Sequence, residues 1–90
     1  MDTKKAIEES CTYIMNTYNR FPVVLRKGRG IKVWGQDGKE YLDFIGGVAV
    51  NILGHCHPKV VMAVQKQAQR LIHASNLFYM EPQIKLAKLL

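Results

Sequence analysis

Between a strand-like segment ending at Phe44 and a helix-like one opening at Pro58, the chain sets Gly46, Gly47 and Gly54 beside His55, Cys56 and His57. Glycines so placed let the main chain bend through angles closed to other residues, and Pro58 brings a fixed φ suited to the first turn of a helix. A strand-to-helix junction of this kind lines a site more often than it fills a core. Residues 44–58 are therefore where a ligand or a catalytic surface is sought first.

The length of 90 residues allows one small domain, and 48% apolar residues call for a core. A domain this short buries only about 60–65% of its unfolded surface. Ile84 to Leu90 runs apolar to the last position without glycine, proline or a closing polar turn, so the usual helix stop signals are missing. The expectation is a truncated fragment of a larger protein. Cys11 and Cys56 form no spaced framework, which fits free thiols in a reducing compartment, and the cytoplasm is the expected location. The first ten residues carry lysines but no apolar run of signal-peptide length, and no stretch of about 18 apolar residues occurs. Neither secretion nor a membrane partner is expected.

Thirteen Lys and Arg against seven Asp and Glu give a net charge of +6. The densest basic run, Arg26 to Lys32, flanks glycines between apolar segments and lacks the aromatic interleaving that stacking on bases requires. A solvated turn is the better reading, and no nucleic-acid partner is expected. A stand-alone basic module for an acidic surface or nucleic acid is the alternative from another functional class.

Ile7, Cys11, Ile14, Met15 and Tyr18 lay an apolar stripe along a predicted helix over residues 3–18, which Pro22 ends. From Val23 the period shortens to two, with Ile31 and Val33 on one side of a strand and Lys32 and Trp34 on the other. Asp37 and Gly38 form a hairpin signal, and residues 40–44 return as the partner strand. With Val23, Val24 and Leu25 this predicts a small antiparallel meander, too few strands for an independent core. Pro58 then opens an amphipathic helix with Val60, Val61, Val64, Ala68, Leu71 and Ile72 on its apolar face. A polar and aromatic break over residues 73–79 precedes a last helix beginning at Pro82.

His55, Cys56 and His57 are metal-ligand types, but a structural zinc site takes four ligands in separated pairs, and Cys11 and His73 come from unrelated helices. No metal is expected. The residue-level reading instead has His57 near a helix cap, Cys56 buried as a small apolar group and His55 bonded to backbone. A Cys/His nucleophile lacks an orienting group and oxyanion donors. The glycines fit neither the dinucleotide fingerprint nor the P-loop. Ser75, Asn76, Leu77, Phe78 and Tyr79 read two ways: an amide and two rings walling a small polar ligand, or apolar plugs beside a turn cap.

Taken in order, Tyr18 to Pro22, Gly28 to Trp34, Asp37 to Phe44, Ala49 to Asn51, Leu53 to Pro58 and Ser75 to Gln83 resemble the N-terminal part of class III aminotransferases, which depend on pyridoxal 5'-phosphate. The resemblance runs from about Tyr13 to Leu90. It implies an α/β fold, the N-terminal segment of a fold-type I enzyme. Residues 1–54 would supply the N-terminal helix and the β-meander of the small domain, and residues 55–90 helices leading into the large cofactor-binding domain. It implies a homodimer that moves the amino group of N2-acetyl-L-ornithine to 2-oxoglutarate, giving glutamate, with ornithine, succinylornithine or 4-aminobutyrate as alternative donors. The family's Schiff-base lysine and its other cofactor-binding residues match no position here, so this chain holds no catalytic or cofactor-binding residue and is expected to be inactive by itself. What the resemblance carries over is pocket wall: Val48 on the substrate tunnel, and Asn76, Phe78 and Tyr79 near the dimer interface and substrate entrance.

Overall fold

In the computed structural model, which describes residues 1–90, the chain divides into two units, Met1–Val60 and Val61–Leu90. The elements of the first unit follow the expected order. Helix α1 spans Thr3–Tyr13. Asp2 caps it, its carboxylate accepting from the Lys5 amide at 2.8 Å, which satisfies one of the free N–H groups of the first turn. The helix stops five residues short of the predicted stripe, because Ile14 turns to extended backbone (φ −110°, ψ 131°). Periodicity alone carried the stripe on to Tyr18; the backbone departs first.

Strands β1 (Leu25–Arg29), β2 (Lys32–Gly35) and β3 (Glu40–Leu42) form an antiparallel meander in the order β1-β2-β3. Two turns set its register. Gly30 and Ile31 are the two-residue connection between β1 and β2, with Gly30 at φ 59°, so Ile31 lies in a turn and is exposed rather than sharing the strand face of Val33. Gly38, at φ 83°, sits in the second turn, where the Asp37 carboxylate accepts from the Lys39 amide at 3.1 Å. Pairing slips between Leu25 and Lys27, so Arg26 is the extra residue of a bulge. Val23 and Val24 lie before β1, which starts at Leu25.

One face of the meander carries Lys27, whose ammonium lies 4.8 Å from the centre of the Trp34 ring, and Lys32, paired with Glu40 at 2.8 Å. The basic run is thus partly engaged by its own sheet. On the other face Gly28, Val33 and Tyr41 are cross-strand partners, and Val33, 6% exposed, is the one buried apolar side chain of the chain. One residue does not make a core, as the strand count implied.

Beyond β3 the chain makes a single turn, α2 (Gly46–Ala49), which is left-handed: φ is 60° at Gly46, 64° at Gly47, 58° at Val48 and 64° at Ala49. Helix α3 (Pro58–Ala68) opens on its proline as expected. It ends before Leu71 and Ile72, where the Gln67 side-chain amide donates to the Leu71 carbonyl at 2.9 Å and so occupies a carbonyl that a continuing helix would use. In the second unit α4 (Glu81–Leu89) follows Met80, with Pro82 in its first turn. None of α1, α3 and α4 buries a residue. Their amphipathic stripes are present, with Ile7, Val60, Val61, Val64, Ile84 and Leu86 all exposed.

Candidate functional site

Asp43 follows directly on β3, and its amide extends the sheet by donating to the Ile31 carbonyl at 2.8 Å. Strand pairing therefore fixes where its carboxylate starts. One oxygen, Oδ1, accepts from the Ile45 amide at 3.0 Å and the Gly46 amide at 2.9 Å, an Asx arrangement that satisfies the donors at the entry of α2. The other, Oδ2, lies 2.5 Å from His55 Nε2. The Gly46 amide foremost, and then the bond to His55, hold the Asp43 carboxyl below the usual aspartate value, so it stays ionised through the neutral range.

Besides that bond, His55 is fixed by three further contacts. Its amide donates to the Gly30 carbonyl at 2.8 Å, and its carbonyl accepts from the Gly30 amide at 3.0 Å. Its ring lies on Gly28, where a Cβ would stand 2.7 Å from the ring carbon Cγ. Only glycine leaves room for imidazole at that point of β1. Gly54, the residue before it, has φ 83°, and a Cβ there would lie 2.9 Å from Gly30 Cα. The junction of residues 44–58 is thereby fastened to the first hairpin at two neighbouring positions.

Inside that fastened loop lies α2. An L-residue in left-handed backbone costs about 1–2 kcal/mol, and the cost is higher for a β-branched one. Val48 and Ala49 both bear it. The turn keeps two internal bonds, from the Ala49 amide to the Ile45 carbonyl at 3.1 Å and from the Asn51 amide to the Gly46 carbonyl at 2.8 Å. Val48 presents its side chain outward, 86% exposed. Strain of this sort is kept only where the surroundings over-determine it.

The His-Cys-His cluster resolves residue by residue. His55 is bonded to backbone, as expected, and to Asp43 as well. His57 stands at the start of α3, with Nδ1 accepting from the Lys59 amide at 3.2 Å. Cys56 departs from expectation: it is exposed, at φ 54°, because the backbone reverses there between the Gly30 bridge and Pro58. Asn76, Phe78 and Tyr79 lie in the second unit, in the connection to α4, and all are exposed, Tyr79 at 98%. Leu77 and Phe78 are exposed in this unit and plug no core there. Ser75, at φ 73°, holds the loop locally, its Oγ accepting from the Leu77 amide at 3.3 Å.

Asp43 is the site residue that sequence reasoning passed over. Its signal was present: an aspartate two and three residues ahead of Ile45 and the first glycine of a pair, the spacing at which a carboxylate caps its own following amides. Its bond to His55, twelve residues on, had no local signal.

The nine lysines are all exposed, and five of them are already engaged by Glu9, Glu40, Asp37, Glu81 and the Trp34 ring. No lysine stands in an enclosed, desolvated position suited to a Schiff base. The residues of this chain do not by themselves fit pyridoxal phosphate, and no chemical step is assigned to them.

The family described as Aminotransferase class-III matches residues 13–90. An acetylornithine aminotransferase of Methanopyrus kandleri is 56% identical over 90 residues, all of this chain and 22% of the relative. The crystal structure of an acetylornithine aminotransferase from Elizabethkingia anophelis superposes with a TM-score of 0.90 at 34% identity, covering 99% of this chain and 24% of that one. An ornithine delta-aminotransferase of Plasmodium falciparum gives a TM-score of 0.86 at 30% identity over 90% of this chain and 21% of its own. The chain thus spans about a fifth of the length of the proteins it matches. The meander, the glycine turn and the two helices that follow are the N-terminal part of a fold-type I pyridoxal-phosphate transferase. Sequence, family match and superposition converge on one conclusion, that this chain belongs to the class-III aminotransferases.

Proposed function

We propose that the protein carrying this chain is a pyridoxal-phosphate-dependent transaminase that takes the amino group of N2-acetyl-L-ornithine and gives it to 2-oxoglutarate in arginine biosynthesis. The observation that carries the reading is identity above half over the whole chain to a relative named acetylornithine aminotransferase. The cofactor supplies an electron sink for the carbanion left when the α-proton is removed. This chain contributes walls and framework.

Val48 forms an aliphatic wall of the substrate tunnel in this reading. Its outward side chain on a turn fastened at both ends suits that role, since a wall must be placed reproducibly to select among amines. A branched aliphatic group favours the acylated donor over the bare diamine, whose second ammonium requires a polar partner. Asn76, Phe78 and Tyr79 belong to the entrance and the subunit interface, where exposed rings are covered when a homodimer forms. Residues 1–54 belong to the small domain and residues 55–90 lead into the large one. The protein acts in the cytoplasm; no helix of the chain is long and apolar enough to cross a membrane. Family membership favours this reading over a basic binding module.

Glutamate-coupled turnover of the full-length protein on acetylornithine, ornithine and 4-aminobutyrate tests the assignment. The expected order places acetylornithine first in kcat/KM. Preference for either unacylated amine overturns it.

A further inference from the structure

Asp43 has no part in the wall proposed above, yet its carboxylate accepts three hydrogen bonds, two from the amides that open α2 and one from His55. What lies between those anchors is a run of four left-handed residues, two of which carry a Cβ. Freed of its anchors, such a run relaxes toward right-handed or extended backbone, because that is where Val48 and Ala49 are stable. The turn's own two bonds are of a kind that many short loops make.

The anchoring forms a closed circuit. Upstream, β3 fixes Asp43 through the Ile31 carbonyl. Downstream, His55 is fixed by its paired bonds to Gly30 and by the empty space over Gly28. The Asp43–His55 bond joins the two ends across twelve positions, so the intervening loop loses most of its alternative closures. We propose that Asp43 and His55 form a clasp whose task is to position Val48, by holding the α2 turn in its left-handed form. Asp43 is a positioning residue in this proposal, acting through Val48.

The inference about the turn stands without any assignment of substrate, whereas its effect on catalysis rests on Val48 lining the tunnel. The test uses the full-length, cofactor-loaded protein. Hydrogen exchange read by mass spectrometry on peptides spanning residues 44–54 reports the turn, and KM against kcat for acetylornithine reports the wall. Asp43→Ala speeds exchange of those peptides by about tenfold, the effect of losing one well-made hydrogen-bond network. Adding Val48→Gly to Asp43→Ala slows it again, because glycine adopts the left-handed turn without strain. Asp43→Asn keeps the Oδ1 acceptor and gives a smaller change of the same sign, and it serves as the informative variant if the alanine protein fails to accumulate.

Unchanged exchange in Asp43→Ala, or no slowing when Val48→Gly is added, overturns the clasp. In the same Asp43→Ala protein KM rises about fivefold or more while kcat and bound cofactor stay within about twofold, since a displaced wall weakens substrate placement and leaves the chemistry in place. Faster exchange with KM unmoved supports the clasp and removes Val48 from the substrate wall.

Discussion

The segment entering α3 and the segment entering α4 both hold side-chain-bearing residues at positive φ, Val48, Ala49 and Cys56 in the first and Ser75 in the second. In the first, bonds reach across the sequence: Asp43 to His55, and His55 to Gly30 in both directions. In the second, the bonds span two or three residues, from the Leu77 amide to Ser75 Oγ and from the Phe78 amide to the Ser75 carbonyl, both at 3.3 Å. The difference teaches that a strained turn and a residue exposed for function need separate means of control. Val48 is placed by long-range anchors within its own unit. Asn76, Phe78 and Tyr79 have only short-range ones, so whatever orders them comes from outside that loop.

The largest effects follow from breaking the fastening of the first segment. Gly54→Ala puts a Cβ 2.9 Å from Gly30 Cα on backbone at φ 83°. We expect a loss of about 3 kcal/mol in the unfolding free energy of the full-length protein, measured by denaturant titration. Gly28→Ala pushes on the His55 ring at 2.7 Å and parts it from Asp43. A loss of about 2 kcal/mol is expected by the same measurement, and an unchanged midpoint shows that the ring is not held there.

Acid sharpens the comparison next. The Asp43 carboxyl is held below the usual aspartate value, first by the Gly46 amide and then by His55. Because the folded value is the lower one, this carboxylate contributes stability above the unfolded pKa, and the contribution is lost as pH falls through the folded pKa. As pH falls through and below the ordinary carboxylate range the first segment should therefore loosen before the second. Asp43→Asn removes that part of the acid limb, which a pH series of proteolytic cleavage within residues 44–54 reads directly.

Changes in the second segment are small. Ser75→Gly relieves a left-handed backbone and gives up one long hydrogen bond, for a net gain of about 0.5 kcal/mol by denaturant titration. Smallest of all is Glu81→Gln. Lys85 holds that carboxyl below its usual value, but both side chains are largely exposed, and no change in the denaturant midpoint is expected.

Much of the fold was legible in the sequence because its signals are local. Asp37 and Gly38 announced the second hairpin, Pro58 the start of α3, and the alternation over Lys32, Val33 and Trp34 the middle strand. The helix ends were not legible: apolar spacing continued to Tyr18 and to Ile72, whereas the backbone turned away at Ile14 and after Ala68. The glycine pair marked a special turn, yet nothing in it told that Val48 and Ala49 would share its left-handed form. The Asp43–His55 bond was hidden for a different reason, since contacts between residues twelve apart depend on how β1, β2 and β3 stack, and no window of sequence contains that. His55 was read as bonded to backbone and proved so; its more telling partner was a side chain.

The most direct test of this account compares both segments in one experiment on the full-length protein: hydrogen exchange of peptides from residues 44–54 and from residues 74–79, with and without Asp43→Ala. We predict faster exchange in the first and none in the second. Equal acceleration of both, or stability of the first, contradicts a clasp confined to the glycine turn.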